Sequence, residues 1–377
     1  LTLTLDSPAN GSALQAEFTE PISALAGQCA AEGEPVILLK LSSSGRETEI
    51  ARTVCSFGQW LLDVNIFSLS GGFSDFRLRH TNALGQSRDL DLVFDVRLPG
   101  KKRFMTGFGD GVTEDLEPGG GAAIDLRGSD RGSGPRSFTN DLESFPFGDF
   151  SLEYAGGTAA QRSARLEFER GKSSNRVLRF ALSESNAANS AGQPSQGRVQ
   201  ATLVSKGEVK ELYEKVRVRL GPNFRFIAVS SSASDGIKIA ELAGASLKIV
   251  RSAGGPGSLR LAVSGPAWSV LSGDGEIPID QWFTLEIDFK PGDEKTGRLF
   301  VAITTDEGRR RVLIDDSPRR TLALAHGSEG TAGEGASLGL KTLELMKLEA
   351  SQELLSPLKA SGGPLVIEWD DLEIWTN

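Results

Sequence analysis

Between Ile277 and Ile303 the chain reads IPIDQWFTLEIDFKPGDEKTGRLFVAI, and apolar and polar positions alternate along it. Phe283, Leu285, Ile287 and Phe289 share one face and Thr284, Glu286 and Asp288 the other, the period of two that a half-buried strand requires. After the turn tract PGDEKTG the alternation resumes at Leu299, Val301 and Ile303, so the run predicts two adjacent antiparallel strands. Glu286 and Asp288 are then expected on a solvated strand face. Similar short segments recur at 166–168, 178–182, 199–203, 216–220, 224–229, 237–239, 247–250 and 259–263, and each is read as a strand. Residues 339–349 fit a helix through Leu340, Leu343 and Lys347, or a strand through Leu343 and Leu345. Their β surroundings favour a strand, followed by a short helical turn at 351–355. In the last segment Leu365, Ile367 and Trp369 have one parity and Leu372 and Ile374 the other. One extra residue at Asp370-Asp371, a β-bulge, puts all five on the core side.

The first hundred residues alternate in the same way. Leu1-Thr2-Leu3-Thr4-Leu5 leads into the turn Ser7-Pro8-Ala9-Asn10-Gly11, and strands follow at 36–39, 50–54, 60–64, 76–79 and 90–96. Short strands at this spacing suggest a sandwich. Because residue 1 already belongs to an alternating segment, an upstream piece such as a signal peptide is expected to have been removed. Pro99 interrupts the last strand, and residues 99–106 read as a linker between a domain at 1–98 and one at 107–377. About a third of residues 107–134 are glycine, which reads as a wrapping strand with loops or as a surface loop.

Composition narrows the functional classes. The 377 residues carry a formal net charge of −9, with no basic concentration of the kind that phosphate binding needs, so no nucleic-acid partner is expected. No apolar run reaches membrane-spanning length. Two His, two Tyr and two Met leave little material for cofactor chemistry, and none is required. Cys29 and Cys55, confined to the first domain, read as a disulfide in an oxidising compartment, against the alternative of two inert buried thiols.

The succession SPANGS, Gly27-x-Cys29, Val54-Cys55, Gly58-x-Trp60, a Gly-Gly turn, Asn82-Ala83-Leu84-Gly85 and a last strand resembles bacterial Ig-like domains over residues 6–96. The resemblance implies that Cys29 and Cys55 are bridged, that Trp60 lies in or beside the core, and that the domain is a spacer or an adhesive module. From residue 107 onward GRVQATL, LYEKVRVRLGPNF, the opening run and VIEWDDLEIW resemble the concanavalin A-like jelly rolls of the polysaccharide-lyase and laminin-G type. The expected architecture is therefore all-β, an N-terminal Ig-like β-sandwich followed by a concanavalin A-like jelly roll. The resemblance carries fold rather than function, since such folds host lyases, glycosidases, lectins and adhesion modules.

Candidate chemistry is sparse. Glu286-Ile287-Asp288 starts like a retaining-glucanase motif, but Lys290 and Pro291 stand where a third acid is needed to protonate the leaving oxygen. For a lyase, Arg198, Tyr213 and His326 are the contributors to charge neutralisation and proton transfer, although Gln200 replaces the Glu found in such lyases. These three should converge on one sheet face if the chain is a lyase. For sugar stacking, Trp268 beside a Gly-Pro turn and Trp375 at the rim are the candidates, while Trp282 and Trp369 are assigned to the core. A structural calcium ion would draw on Asp110, Asp370 and Asp371, the alternative being solvated acids at strand ends. The expected protein is extracellular, periplasmic or on the cell surface, binding a polysaccharide or cell-surface glycan without catalysis. The alternatives are a polysaccharide lyase or glycoside hydrolase of the same fold, and a structural or assembly subunit that contacts a protein partner at the cell surface through sheet edges.

Overall fold

A computed structural model of the chain describes residues 1–17, 22–42, 46–66, 69, 72–98, 100–118, 122–128, 147–155, 161–183, 196–229, 236–242, 245–252, 258–265, 268–272, 277–291, 297–316, 340–361 and 363–376. The chain is all-β and divides into two compact units, Leu1–Lys101 and Lys102–Asn377.

In the first unit the strands are β1 (Ala13–Gln15), β2 (Ile22–Gln28), β3 (Pro35–Leu41), β4 (Glu47–Val54), β5 (Gln59–Asn65), β6 (Gly72–Thr81) and β7 (Ser87–Arg97). They form a five-stranded sheet in the order β1-β7-β6-β3-β4 and a two-stranded sheet, β2-β5, which share one core. Strand β5 shows why: Trp60, Leu62 and Val64 are buried while Gln59, Leu61, Asp63 and Asn65 are exposed. Trp60 lies in the core and donates its indole N–H to the Thr4 carbonyl at 3.1 Å. Opposite it, a Cβ on Gly27 would come within 2.0 Å of that carbonyl oxygen and 2.8 Å of the indole, so only glycine fits. Cys29 and Cys55, just beyond the ends of β2 and β4, are disulfide-bonded and tie the two sheets together. Strand β1 runs parallel to β7, with Ala13 opposite Asp95 and Gln15 opposite Arg97. Residues 2–5, expected as a strand, make only an isolated bridge between Leu3 and Cys29, because the segment is held by single hydrogen bonds to the edge of β2.

The second unit comprises β8 (Lys101–Thr106), β9 (Val112–Leu116), β10 (Ala123–Gly128), β11 (Phe147–Ala155), β12 (Arg162–Phe168), β13 (Arg176–Leu182), β14 (Gln196–Val209), β15 (Leu212–Leu220), helix α1 (Phe224–Val229), β16 (Ile237–Leu242), β17 (Ala245–Arg251), β18 (Leu259–Gly265), β19 (Trp268–Leu271), β20 (Trp282–Lys290), β21 (Arg298–Thr305), β22 (Arg310–Asp316), β23 (Leu340–Ser351), helix α2 (Gln352–Ser361) and β24 (Leu365–Thr376). A seven-stranded sheet runs β11-β14-β23-β16-β17-β18-β19, and an eight-stranded one runs β12-β13-β24-β15-β20-β21-β22 with β8 added on β24. Their inner faces supply a single core, to which Phe283, Leu285, Ile287, Phe289, Leu299, Val301 and Ile303 of the opening run contribute together with Val199, Ala201, Leu343 and Leu345 of the facing sheet.

Three local readings change. The stretch 99–106, expected as a linker, contains strand β8, because Phe104 and Thr106 alternate inward and β24 has an edge that β13 does not cover beyond Trp369. Residues 224–229 form helix α1 rather than a strand. Pro222 and Asn223 start a turn whose carbonyls accept from Arg225 and Phe226, and Phe224 and Ile227, three apart, bury on one side. Glu286 and Asp288 are buried, and the outer sheet face is therefore not simply solvated. The strand at 340–351 with a helix after it, and the bulge in β24, occur as read. Lys215 pairs with Glu373 and Arg217 with Asp370, so two residues of β15 span three of β24, and Asp371 takes a left-handed backbone at φ 45°. Leu365, Ile367, Trp369, Leu372 and Ile374 all enter the core.

Candidate functional site

Because alternate residues of a strand point to opposite faces, the inward set of each sheet fixes which side chains its outer face carries. On the seven-stranded sheet, Val199 and Ala201 of β14 are in the core, so Arg198, Gln200 and Thr202 lie outward. The register places Gln200 between Glu153 of β11 and Lys347 of β23, and Arg198 beside Glu349, which in turn pairs with Lys238 of β16. The result is a polar floor across the four strands β11, β14, β23 and β16.

This floor is buried to an unusual degree. Lys347 is 1% exposed and Gln200 1% exposed, although neither is in the core. The Lys347 ammonium is held by Glu344, by Glu241 at 3.0 Å and by Glu349 at 2.9 Å, and Lys238 meets Glu349 at 2.9 Å. Burial disfavours the Lys347 charge, but the carboxylates of Glu349, Glu344 and Glu241 outweigh it and raise its pKa, so the side chain stays protonated. Gln200 donates its amide N–H to Glu153 at 3.1 Å and to Thr202 at 3.0 Å, while its buried Oε1 accepts nothing among the described residues. The buried Nε of Arg198 on the same strand also has no partner among the described residues, its guanidinium reaching Glu153 at 3.9 Å. Two unmet hydrogen-bonding atoms, one acceptor and one donor, thus lie two residues apart along one strand face.

The outer face of the eight-stranded sheet is closed by its own side chains. Glu286 accepts from Arg310 at 2.8 Å, from Thr304 at 3.2 Å and from the Tyr213 hydroxyl at 3.1 Å. Burial, and then the neighbouring Glu286 carboxylate, push the Tyr213 phenol well above its usual range, so it is a locked donor and not a base. Arg217 lies 4.3 Å above the Trp282 ring and reaches Asp370 at 3.4 Å and Asp306 at 3.3 Å. Asp370 also accepts from Asn175 at 2.9 Å. Beside this network a cleft of about 280 Å3 is lined by Met105, Lys215, Arg217, Thr284, Asp371 and Glu373.

The residues singled out in the sequence therefore separate. Arg198 stands on the seven-stranded sheet and Tyr213 on the eight-stranded one, so the two do not share a face, and His326 lies outside the described residues. Trp375, expected at an exposed rim, is 2% exposed: its register sets it beside Tyr213, and its N–H donates to Glu373 at 3.2 Å. Trp369 is in the core as expected, whereas Trp282 is buried on the outer face beneath Arg217 and Arg219. Trp268 opens the edge strand β19, its backbone paired with Gly265, and its side chain lies outside the described residues. Asp110 is exposed, and Asp370 is engaged by Asn175 and Arg217. Among the described residues no group of three His, Cys, Asp or Glu side chains is placed to hold a metal ion. Lys347 drew no attention as a site residue in the sequence, and Gln200 entered only as the residue standing where such lyases have Glu. The available signal was polar residues at outward positions of strands that lie in the middle of the sheet.

No protein-family model matches the chain, and no curated protein matches it. Solved structures similar in shape include a PL-14 alginate lyase from Aplysia kurodai, at 12% identity and TM-score 0.38, covering 60% of this chain and 90% of that one. An endo-β-1,4-glucuronan lyase from the fungus Trichoderma reesei aligns at 9% identity and TM-score 0.36 over 60% of this chain and 90% of that one. A carbohydrate-binding module of the β-sandwich superfamily aligns at 10% identity and TM-score 0.29 over 98% and 96%. Likeness of this degree assigns no activity. No helix among the described residues is long and apolar enough to cross a membrane.

Proposed function

We propose that the second unit is a glycan-binding β-sandwich that acts without catalysis, carried with an Ig-like first unit on an extracellular, periplasmic or cell-surface protein. The observation that supports this most directly is the outward floor of β14 and β23, where the Gln200 carbonyl oxygen and the Arg198 Nε are both unmet. A saccharide hydroxyl both donates and accepts, the two capacities these atoms lack, and because both atoms are buried a side-chain shift must open them before it can pair with either. Of the lyase candidates among the described residues, Tyr213 is held neutral on the sheet opposite Arg198, which does not suit it as the proton acceptor of uronate elimination beside Arg198. The disulfide suits an oxidising location.

A glycan array probed with the full chain tests the reading. Binding to at least one acidic or neutral polysaccharide is expected, weakened about tenfold by Arg198→Ala and by Gln200→Ala, a loss near 1.4 kcal/mol for one hydrogen bond to a charged or buried group. Incubation with the bound polysaccharide should leave its length unchanged. Release of unsaturated oligosaccharides would replace this proposal with a lyase, and binding indifferent to both substitutions would move the site elsewhere.

A further inference from the structure

The hairpin between β4 and β5 in the first unit is built at a conformational cost that the fold itself does not require. Ser56 and Gln59 exchange backbone hydrogen bonds at 2.8 and 3.0 Å, leaving Phe57 and Gly58 as a two-residue loop. Both have positive φ, 52° and 74°, the geometry that favours Asn-Gly or Asp-Gly and disfavours an aromatic residue at the first position. The Phe57 side chain gains no burial in exchange, being 95% exposed. The loop is nonetheless fixed. The Glu32 carboxylate accepts from the N–H of Phe57 at 3.0 Å and of Gly58 at 3.4 Å, and the Cys29–Cys55 disulfide anchors the strand leading in. A strained residue that persists in a rigid loop is the kind of outlier that marks a contact outside the fold.

Next to this loop runs a groove of about 540 Å3, within the range of about 300–1,000 Å3 that small-ligand sites occupy. Asp6, Thr53, Ser56 and Gln59 supply its polar wall, and Val54 and Leu61, both more than half exposed, its apolar one. The side chains of Thr53, Ser56 and Gln59 have no partner among the described residues. Among the described residues Asp6 is the one charged residue lining the groove, and no Lys or Arg lines it. Hydroxyl and amide groups open to solvent, alternating with apolar side chains, and the exposed Phe57 ring on the adjoining turn, outside the lining itself, suit the two sides of a pyranose: hydroxyls around its rim and C–H groups on its faces. The acid disfavours an anionic chain.

We infer that the groove between the ends of β4 and β5, with Phe57 at its turn, is a second saccharide site, one that takes a neutral polysaccharide. It is separate from the floor of the second unit and stands whether or not that floor binds glycan.

The full chain run through native gels containing hydroxyethylcellulose, xylan or glucomannan tests the inference. Retardation is expected in at least one of the three. Phe57→Asn, which supplies the residue the turn prefers, should raise the melting temperature while weakening retardation at least tenfold; Gln59→Ala should weaken it several-fold, and Phe57→Trp should preserve it. No retardation in any of the three gels would overturn the proposal. So would retardation that survives Phe57→Asn, and retardation lost with Arg198→Ala but not with Phe57→Asn would assign the binding to the second unit instead. Loss of a dimer by sedimentation in Phe57→Asn, with retardation unchanged, would make the loop a protein contact and equally overturn it.

Discussion

Glu214 shows how strongly one residue can depart from its pattern. It occupies an inward position of β15, between Ile287 and Ile374, and is fully buried, with both carboxyl oxygens unpartnered among the described residues. Burial alone raises its pKa well above the usual glutamate range. The folded chain therefore keeps the proton at a pH where the unfolded chain has released it. The sign follows: the folded state is favoured most below the unfolded pKa, and stability falls as pH rises from there toward the raised folded value. The limiting slope is about 1.4 kcal/mol per pH unit. Glu214→Leu should remove that slope and raise stability at neutral pH, as read by urea denaturation from pH 4 to pH 8. An unchanged slope in the variant would show that Glu214 is paired or hydrated in solution.

At the scale of elements, the bulge in β24 decides which side chains the core receives. Without the extra residue Leu372 and Ile374 would turn outward and Glu373 and Trp375 inward, since a shift of one residue exchanges the faces. Deleting Asp371 should therefore prevent folding of the second unit, seen as loss of its cooperative unfolding transition. Asp371→Gly tests the backbone instead: relief of the left-handed φ should stabilise by about 1 kcal/mol, measured by denaturant titration. A drop in stability would mean that the Asp371 side chain contributes more than its backbone strain removes.

In the whole molecule, the features visible from sequence were those where one periodicity governs. The opening run, the bulge and Trp60 in the core all follow from alternation or from positions in the resembled families, and the Cys29–Cys55 bridge from two cysteines confined to one small unit. What stayed hidden depends on contacts between distant segments. A carboxylate such as Glu286 reads the same whether water or Arg310 surrounds it, 24 residues away. Arg198 and Tyr213 read together as candidates for one lyase site, and only the strand order puts them in different sheets. Helix α1 was missed because six residues are too few to separate a period of 3.6 from one of 2. The bridge also sets a global quantity: closing 26 residues of chain should contribute about 3 kcal/mol to the first unit. Reduction should accordingly speed hydrogen exchange in peptides from β2 to β5 by about a hundredfold, and leave β20 and β21 unchanged. Equal acceleration in both units would show that they unfold together.

The parallel pairing of β1 with β7 has a mechanical meaning. Because the two strands point the same way, the residue before β1 and the residue after β7 lie at opposite ends of the pair. Tension applied between Ser12 and Leu98 therefore slides one strand along the other, so the hydrogen bonds of the pair share the load. An antiparallel pair such as β6 and β7, pulled from its open end, would instead lose its hydrogen bonds in succession, like a zip. Pulled between these two points, the first unit is therefore expected to resist extension rather than peel open.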